Sequence, residues 1–150
     1  MILIMVFLFW QKTYQEEIGV VVKVVDGDTI ELESGETVRY IGMDTPEISF
    51  PLTPIECYGP QSTEFNRSLL EGKEVVLKRD LKNRDKFGRL LRYVYVDDIF
   101  VNLNLVEEGY ARNLQVLPNV SFSRQFENAE TKAQNDKKGI WNEEKCNGNK

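Results

Sequence analysis

Apolar and polar residues follow strand-like patterns along the first part of the chain. Ile18 to Val25 is a run rich in β-branched residues, and Thr29 to Leu32 alternates between polar and apolar side chains. Glu33 to Glu36 contains a Ser-Gly pair typical of a hairpin turn, and Thr37 to Gly42 gives a third segment of the same kind. β-Branched runs and period-two alternation are typical of strands, so this part predicts a three-stranded meander.

A helix and two more strands are predicted next. The helix begins at Gly59-Pro60, because proline is favoured in the first helical turn, and it ends at Gly72. Its expected core-facing residues are Phe65 and Leu69. Val75 to Lys78 and Leu90 to Val96 then predict the fourth and fifth strands, with a basic loop between them.

Two further helices are predicted in the last third of the chain. Val101 to Glu108 reads as a short helix that is ended by Gly109. A third helix begins at Ser121 or Ser123, which are favourable N-cap residues, and ends at Gly139. The apolar stripe expected on this helix comprises Phe122, Phe126, Ala129 and Ala133.

These elements predict an α+β fold, with a small five-stranded OB-type β-barrel and three α-helices. At 150 residues the chain is long enough for one domain with a real core, which we place at residues 11–141. Residues 142–150 are expected to form a frayed tail. An OB-type barrel often binds nucleic acid, but the fold alone does not define a function.

The first ten residues are continuously apolar. They are too few to span a bilayer, which takes roughly 20 residues, and they lack a basic start and a small-residue cleavage site. We interpret residues 1–10 as the stub of a signal or anchor segment, so we expect a secreted or membrane-anchored protein; an extra element packed on the domain is the alternative. Cys57 and Cys146 are either a disulfide of an exported protein or two separate thiols.

Charge is distributed unevenly along the chain. The net charge is −5, but Lys78 to Arg92 holds seven basic and two acidic residues, a net of +5 that leaves −10 on the remainder. A basic segment on an acidic body is typical of a local polyanion site, and a solvated hairpin edge is the alternative. The chain has no histidine, which excludes a Ser-His-Asp or Cys-His nucleophile and any histidine-ligated metal site.

Three short polar runs carry the candidate chemistry. Asp26-Gly27-Asp28 interrupts a strand pattern, which favours a bulge or bend that turns Asp28 inward, although such a pair alone is usually a turn. Asp44-Thr45-Pro46-Glu47 forms a rigid corner after the strand that contains Arg39, and Asp85 to Arg89 lies in the basic loop. Carboxylates suit a hard cation and guanidinium groups suit phosphate, so together these runs indicate metal-assisted chemistry at a phosphoryl centre.

From Gly19 to Trp141 the chain resembles the thermonuclease family, whose domain is the staphylococcal-nuclease-like fold. The matching runs are Val24 to Leu32, Arg39 to Glu47, Glu56 to Pro60, Asp85 to Arg89, Val101-Asn102, Leu105 to Gly109 and Gly139 to Trp141. The resemblance implies a calcium-dependent endonuclease that cleaves DNA and RNA without sequence specificity and leaves 3′-phosphates. We expect it to act as a monomer.

The resemblance also implies roles for individual residues. Asp28 and Asp44 match calcium-binding carboxylates, and Thr45 adds its backbone carbonyl. Glu47 matches the residue that deprotonates or positions the attacking water, and the residues that would hold the scissile phosphate are Arg39 and Arg89. The matched substrate-binding positions are Lys86, Phe87 and Arg112.

The chain departs from the family pattern around the substrate. The loop Ile48 to Glu56 has no lysine, Phe87 stands at the position of a phosphate-contacting tyrosine, and Asn113 to Leu117 lacks the tyrosines of a base-stacking pocket. Losing one stacked aromatic costs roughly 1–3 kcal/mol per base. The alternative function is therefore a non-catalytic OB-type module that binds nucleic acid or a protein. A purely structural calcium site at Asp28 and Asp44 is a weaker option, because it gives the two arginines no role.

Overall fold

The computed structural model describes residues 16–49, 51–52 and 54–146. Its elements, in chain order, are β1 Glu16–Asp26, β2 Thr29–Leu32, β3 Thr37–Tyr40, β4 Met43–Asp44, α1 Gly59–Leu70, β5 Glu74–Lys78, β6 Leu90–Val96, β7 Ile99–Phe100, α2 Val101–Glu107, β8 Arg112–Asn113, α3 Ser123–Asn135, a 3-10 turn Gly139–Trp141 and α4 Glu143–Cys146. The expected apolar stub of residues 1–10 lies outside the described residues. Among the residues described, no helix is long and apolar enough to cross a membrane.

Five strands close into a barrel. They are hydrogen-bonded in the order β3-β2-β1-β5-β6, and a parallel pairing of β3 with β6 joins the two ends. In that pairing Val38 lies opposite Leu90 and Arg39 lies opposite Leu91. The structure confirms the predicted OB-type barrel with its helices, and it adds the short helix α4 and the two-residue strands β4, β7 and β8.

Strand β1 is the longest strand and takes part in both halves of the barrel. Its first half pairs with β5 and its second half pairs with β2. The register against β2 shifts twice, between Val21 and Lys23 and again between Val24 and Asp26. Such bulges bend a strand and increase its twist, so they let one continuous strand turn the corner of a small barrel. The second shift ends at Asp26, and Gly27-Asp28 then forms a turn, so the predicted run is a turn that follows a bulge; Asp28 is buried, as expected.

The barrel interior and the helices share one apolar core. Inward-facing residues such as Val21, Ile30, Val38 and Val94 are completely buried. The predicted stripe on α3 is confirmed for Phe126, Ala129 and Ala133, whereas Phe122 is only half-buried. On α1 the expected residues Phe65 and Leu69 are partly buried and pack against the core. The fully buried side chains, which the prediction missed, are mostly small and polar: Ser62, Thr63, Asn66 and Leu70.

The helix ends differ from the expected ones. The residue before α3 is Phe122, and no side chain caps that helix, because the Ser121 hydroxyl donates to Asp80 instead, at 3.0 Å. The helix ends at Asn135, ahead of Gly139. Where we expected a frayed tail, residues up to 146 form the helical turn α4, and a disulfide joins Cys146 to Cys57.

The basic segment is also less exposed than its sequence suggests. Arg92 is only 2% exposed and its Nη2 donates to Glu17 Oε1 at 2.9 Å. This arginine therefore belongs to the structural interior and does not contribute to a polyanion surface.

Asn102 connects three backbone segments inside the core. This side chain is fully buried at the start of α2; its Nδ2 donates to Ile41 O at 2.9 Å and to Arg92 O at 3.1 Å, and its Oδ1 accepts from Val94 N at 2.8 Å. Buried backbone groups that lose their partner destabilise a protein strongly. Asn102 thus ties the start of α2 to β6 and to Ile41, which lies between β3 and β4.

We expect Asn102→Ala to lower the free energy of unfolding by about 3–5 kcal/mol, because Ile41 O and Val94 N lose their partner and Arg92 O keeps only the bond from Ile41 N. Asn104→Ala on the same short helix is the control and should change it by less than about 0.5 kcal/mol. Urea denaturation followed by tryptophan fluorescence measures both values. Equal effects of the two substitutions would contradict this account of Asn102.

Candidate active site

The barrel brings the predicted polar runs to one end of the molecule. Asp28 lies in the turn between β1 and β2, where Thr29 is the register partner of Arg39 on β3. Strand β4 pairs with β8 and ends at Asp44. The chain then makes the corner Asp44–Glu47, so one strand end, one turn and one partly buried arginine meet.

The Asp28 carboxylate is the buried centre of this group, with 6% exposure. Its Oδ2 accepts hydrogen bonds from the backbone N and the hydroxyl of Thr45, both at 3.0 Å, and its Oδ1 accepts from Thr29 Oγ1 at 3.0 Å. Nη2 of Arg39 lies 3.1 Å from Asp28 Oδ2 and 2.6 Å from Asp44 Oδ1. The two carboxylates therefore converge on a single guanidinium nitrogen.

More negative charge lies at this point than Arg39 can balance. Asp26 Oδ1 accepts from the Asp28 backbone N at 3.0 Å, and burial together with the charge of Asp28 raises the pKa of Asp26 to about 7. Burial, followed by the charge of Asp28, also raises the pKa of Asp44 above its usual value. Shifts of this kind indicate a site that is short of positive charge, which a bound cation would supply.

The donor set fits a hard cation. Among the described residues no three acidic or sulfur side chains form a ready-made metal cluster. Two carboxylates that already share one cationic partner, together with the adjacent Thr45 backbone, provide the oxygen ligands that calcium accepts along with water. A metal here would therefore rest on Asp28, Asp44 and the Thr45 carbonyl, as the family resemblance implies.

Glu47 projects from the corner on an exposed loop that is closed at its base. Glu47 N donates to Glu56 Oε2 at 3.1 Å, and Glu56 N donates to Glu47 O at 2.9 Å. Gly59 packs against the same turn, where an added Cβ would lie 2.8 Å from Glu47 O. Glycine is therefore required at the start of α1, and the side chain of Glu47 leaves a well-defined backbone.

Arg89 is positioned by a local turn. Its Nε donates to Asp85 Oδ2 at 2.7 Å, while Asp85 Oδ1 accepts from the backbone N of Phe87 and of Arg89. Gly88 supplies the positive φ of 83° in this turn. In the part of the chain that the structure describes, neither terminal nitrogen of Arg89 has a hydrogen-bond partner, so both are available to a ligand.

One cavity of about 190 Å³ joins the two arginines. Arg39 and Arg89 both line it, together with Lys82 and an apolar wall on the opposite side. That wall consists of Leu114, Val116 and Leu117. The shape agrees with a phosphate held by two guanidinium groups beside an aliphatic surface, in place of the tyrosines that the family pattern would provide.

A larger cavity of about 450 Å³ lies elsewhere on the barrel and has a different character. Its charged lining residues are already paired in two cases, Arg84 with Glu36 and Arg92 with Glu17. Because acidic and basic groups alternate around it, this cavity is poorly suited to a polyanion. Size alone is therefore misleading, and the smaller cavity, which both predicted phosphate-binding arginines line, is the better candidate site.

The three predicted substrate-binding residues lie in different surroundings. Lys86 and Phe87 are on the exposed turn beside Arg89, where the Phe87 side chain is 72% exposed and Lys86 Nζ lies 5.1 Å from its ring centroid. Arg112 differs from both, because its guanidinium stacks over the Trp141 ring, with Cζ 4.8 Å from the ring centroid. The structure thus brings Arg39 and Arg89 together with Asp28 and Asp44, but it does not place Arg112 in the cavity.

Sequence reasoning assigned no role to Asp26, Glu56 or Asp85. Asp26 adds charge next to Asp28, Glu56 closes the loop behind Glu47, and Asp85 holds Arg89. All three belong to the short runs that match the family pattern, and this was the signal in the sequence that could have pointed to them. Their partners are backbone groups or residues of a turn, which a pattern of charges does not reveal.

Comparison with known proteins identifies the same class of molecule. A sequence model described as "Staphylococcal nuclease homologue" matches residues 37–143. Thermonuclease from Staphylococcus hyicus is 36% identical over 134 residues, covering 87% of this chain and 76% of that protein. Thermonuclease from Staphylococcus intermedius is 38% identical over 122 residues, covering 79% and 73% respectively. Endonuclease YncB from Bacillus subtilis (strain 168) is 40% identical over 124 residues, covering 79% of this chain and 59% of that protein.

The barrel, with its carboxylates and two arginines gathered at one end, agrees with the fold and the polar runs that the family resemblance predicts. The chain belongs to the staphylococcal nuclease homologue family.

The turn that holds Arg89 predicts a specific pH dependence. Burial opposes ionisation of Asp85, but hydrogen bonds from the Arg89 side chain and from two backbone N–H groups outweigh it and lower the pKa of Asp85. The ionised carboxylate therefore stabilises the folded protein above its usual pKa of about 4, and this contribution is lost as the pH falls through the lowered value.

We expect Asp85→Asn to lower the free energy of unfolding by about 1–2 kcal/mol at pH 7, and the difference from wild type to shrink toward zero in acid. Asp98→Asn, at an exposed carboxylate, is the control and should leave the pH dependence unchanged. Urea denaturation from pH 7 down to pH 3 measures both. A difference that stays constant across this range would contradict the role of Asp85.

Proposed function

We propose that this protein is a calcium-dependent endonuclease that hydrolyses phosphodiester bonds in DNA and RNA and leaves 3′-phosphate ends. The observation that carries the proposal is the cavity lined by Arg39 and Arg89, which opens beside the carboxylates of Asp28 and Asp44. Three features that the reaction requires lie there: two guanidinium groups that can bind phosphate, a candidate cation site, and the acidic residue Glu47 on an exposed corner. The names of the relatives support the same reaction class.

The two arginines would bind and orient the scissile phosphate. Guanidinium groups match phosphate oxygens bidentately, and charge that builds up on the phosphorus oxygens during attack strengthens those hydrogen bonds. Arg89 is prepared for this, since Asp85 fixes its Nε and leaves its terminal nitrogens available. Arg39 has the additional task of balancing Asp28 and Asp44.

A calcium ion bound by Asp28, Asp44 and the Thr45 carbonyl would supply positive charge that polarises a phosphoryl oxygen. Glu47 would accept a proton from a water molecule, or orient that water, while the water oxygen attacks phosphorus. The bond from phosphorus to the 5′ oxygen then breaks, and that oxygen leaves with a proton as a 5′-hydroxyl. The phosphate remains on the 3′ oxygen, which balances the reaction.

Substrate contacts outside the centre follow from the exposed surfaces. Phe87 presents an exposed ring on which a base or sugar can pack, and the cationic groups of Lys86 and Arg89 lie 5.1 and 5.4 Å from its centroid. The aliphatic wall of Leu114, Val116 and Leu117 gives bases a contact without aromatic stacking. Arg112 is assigned a smaller part, because Trp141 already covers its guanidinium.

We further propose that the protein works outside the cytosol as a monomer, either secreted or tethered through residues 1–10. The disulfide between Cys57 and Cys146 supports an oxidising location, because such bonds form and persist in exported proteins.

The principal test incubates the protein with plasmid DNA and with RNA in calcium, in magnesium and in EDTA. We expect cleavage in calcium only, and a loss of roughly 100-fold or more in rate for Arg89→Ala and for Glu47→Ser, in line with the removal of one charge-stabilising donor. Arg67→Ala is the matched control, because that arginine pairs with Glu64 and Glu71 on the outer surface of α1. Full activity of Arg89→Ala would refute the proposed mechanism.

The same experiment decides between catalysis and the binding-module alternative. The aliphatic residues at the cavity are the observation that favours a module, because they replace the expected tyrosines. A folded protein that cleaves nothing, yet binds DNA in EDTA with an affinity that falls steeply with salt, would establish the module.

Calcium should also stabilise the folded protein in the absence of substrate. At a calcium concentration of about 100 times the dissociation constant, the gain is about 2.7 kcal/mol and the unfolding temperature rises accordingly. We expect this rise to vanish in the double variant Asp28→Asn/Asp44→Asn and to persist in Asp136→Asn, a carboxylate exposed at the end of α3. Differential scanning fluorimetry with added calcium or magnesium measures it, and an equal rise in the double variant would place the metal elsewhere.

A further inference from the structure

The Asp44–Glu47 corner is connected at both ends to the same C-terminal segment, residues 139–146. On one side, β4 carries Asp44 and pairs with β8, in which Arg112 lies opposite Asp44. The guanidinium of Arg112 stacks over the ring of Trp141 in that segment. The strand that positions Asp44 is therefore braced by residue 141.

On the other side, the loop that leaves Glu47 returns to the same place. Glu56 closes this loop through its two hydrogen bonds with the backbone of Glu47. The next residue, Cys57, is bonded to Cys146 on α4, with the two Cα atoms 5.5 Å apart. The base of the Glu47 loop is thus covalently joined to the far end of the segment.

The segment itself is well fixed to the body of the protein. Ile140 N donates to Gly109 O at 2.9 Å, and Gly139 approaches so closely that an added Cβ would lie 2.0 Å from that same oxygen. The backbone N of Cys146 donates to Asn142 O at 3.0 Å, which closes the last helical turn. Because the segment is fixed in this way, it can restrict the position of a residue that is bonded to it.

The described residues of the loop between Glu47 and Glu56 have few constraints of their own. Leu52 and Ile55 are exposed, with 90% and 55% of their surface accessible, so these side chains are not packed on the core. The described hydrogen bonds are those between Glu47 and Glu56, a Leu52 N to Ser49 O bond, a long bond from the Ser49 hydroxyl to Glu47 and the Gly59 N to Glu56 O bond. The disulfide lies just outside this loop and fixes Cys57, the residue after Glu56, to the C-terminal segment; a covalent bond restricts the position of Cys57 more than weak surface hydrogen bonds do.

We propose that the Cys57–Cys146 disulfide is a positioning element for Glu47, so that full nuclease activity requires the oxidised form. The bond acts through Glu56 and does not touch substrate, so Cys57, Cys146 and Glu56 are positioning residues. This inference rests on the proposed function, because it concerns the same corner. It also gives the enzyme a built-in dependence on an oxidising environment.

Opening the bond is a balanced two-electron step. A dithiol such as dithiothreitol attacks one sulfur as a thiolate, passes through a mixed disulfide and leaves as its own cyclic disulfide. Two electrons and two protons are thereby transferred to the sulfurs of Cys57 and Cys146, which become thiols. Cys57 is half-buried and Cys146 is buried, so attack is expected at Cys57.

The test compares wild type with Cys57→Ser/Cys146→Ser in the calcium assay, at a temperature at which circular dichroism shows both to be folded. We expect kcat of the double variant to fall roughly 10-fold, as misplacement of a catalytic group would cause, while KM changes by less than about twofold. Reduced wild type should behave in the same way, and its activity should return after reoxidation. Leu77→Ala, a core truncation in β5, is the control for lost stability and should retain kcat.

A second comparison separates positioning from general loosening. If the disulfide acts through Glu47, the cysteine substitutions should cause no further loss in a Glu47→Ser background, because groups that act as a unit are non-additive. Glu56→Gln, which retains the accepting oxygen, should keep more activity than Glu56→Ala.

Three outcomes would overturn the inference. They are an unchanged kcat in the double variant, an equal loss in Leu77→Ala, and a full additional loss in the Glu47→Ser background. An inert wild-type protein would instead refute the proposed nuclease function, so the two failures are distinguishable.

Discussion

The buried charge of Asp28 is the constraint on which the arrangement of this end of the barrel depends. A carboxylate removed from water costs several kcal/mol unless it is paired and hydrogen-bonded. Arg39 on β3, the Thr29 hydroxyl and the Thr45 backbone meet that requirement, and each comes from a different segment. The β1–β2 turn, strand β3 and the Asp44–Glu47 corner are consequently held in one relation to one another. A buried carboxylate that would be costly without these partners thus also holds the segments of the candidate site together.

Barrel closure explains why the second arginine arrives at the same place. The parallel pairing of β3 with β6 sets Arg39 beside Leu91, two residues after Arg89. The basic loop before β6 must therefore emerge next to the Arg39 guanidinium of β3. Two residues that are 50 positions apart in the sequence share a cavity because of a strand pairing, and no local motif encodes that proximity.

The sequence predicted the elements that have a local pattern, and it missed the features that depend on tertiary contacts. The strands β1 to β3, β5 and β6 follow from period-two alternation, and the α3 stripe follows from helical spacing. The polar inner face of α1 could not be found in this way, since Asn66 is buried in order to bond the Tyr40 hydroxyl and the Asp26 carbonyl. Ser121 failed as an N-cap for the same reason, because the distant Asp80 takes its hydroxyl. The candidate site residues could be proposed because they lie in short dense runs, whereas the supporting contacts of Glu56 and Asp85 depend on how turns fold.

Under the proposed function, the rigidity of the phosphate site and the breadth of base recognition would be separated. Asp28, Asp44 and Arg39 are tied together by short ionic contacts, and Asp85 fixes the Nε of Arg89. The surfaces that would meet bases, in contrast, are exposed aliphatic side chains and the Phe87 ring, with Leu117 at 80% and Phe87 at 72% exposure. Contacts of that kind discriminate weakly among bases, since they depend on apolar area and not on hydrogen-bond patterns. A rigid phosphate site next to an undemanding base surface is what sequence-independent cleavage requires, because every nucleotide presents the same phosphate.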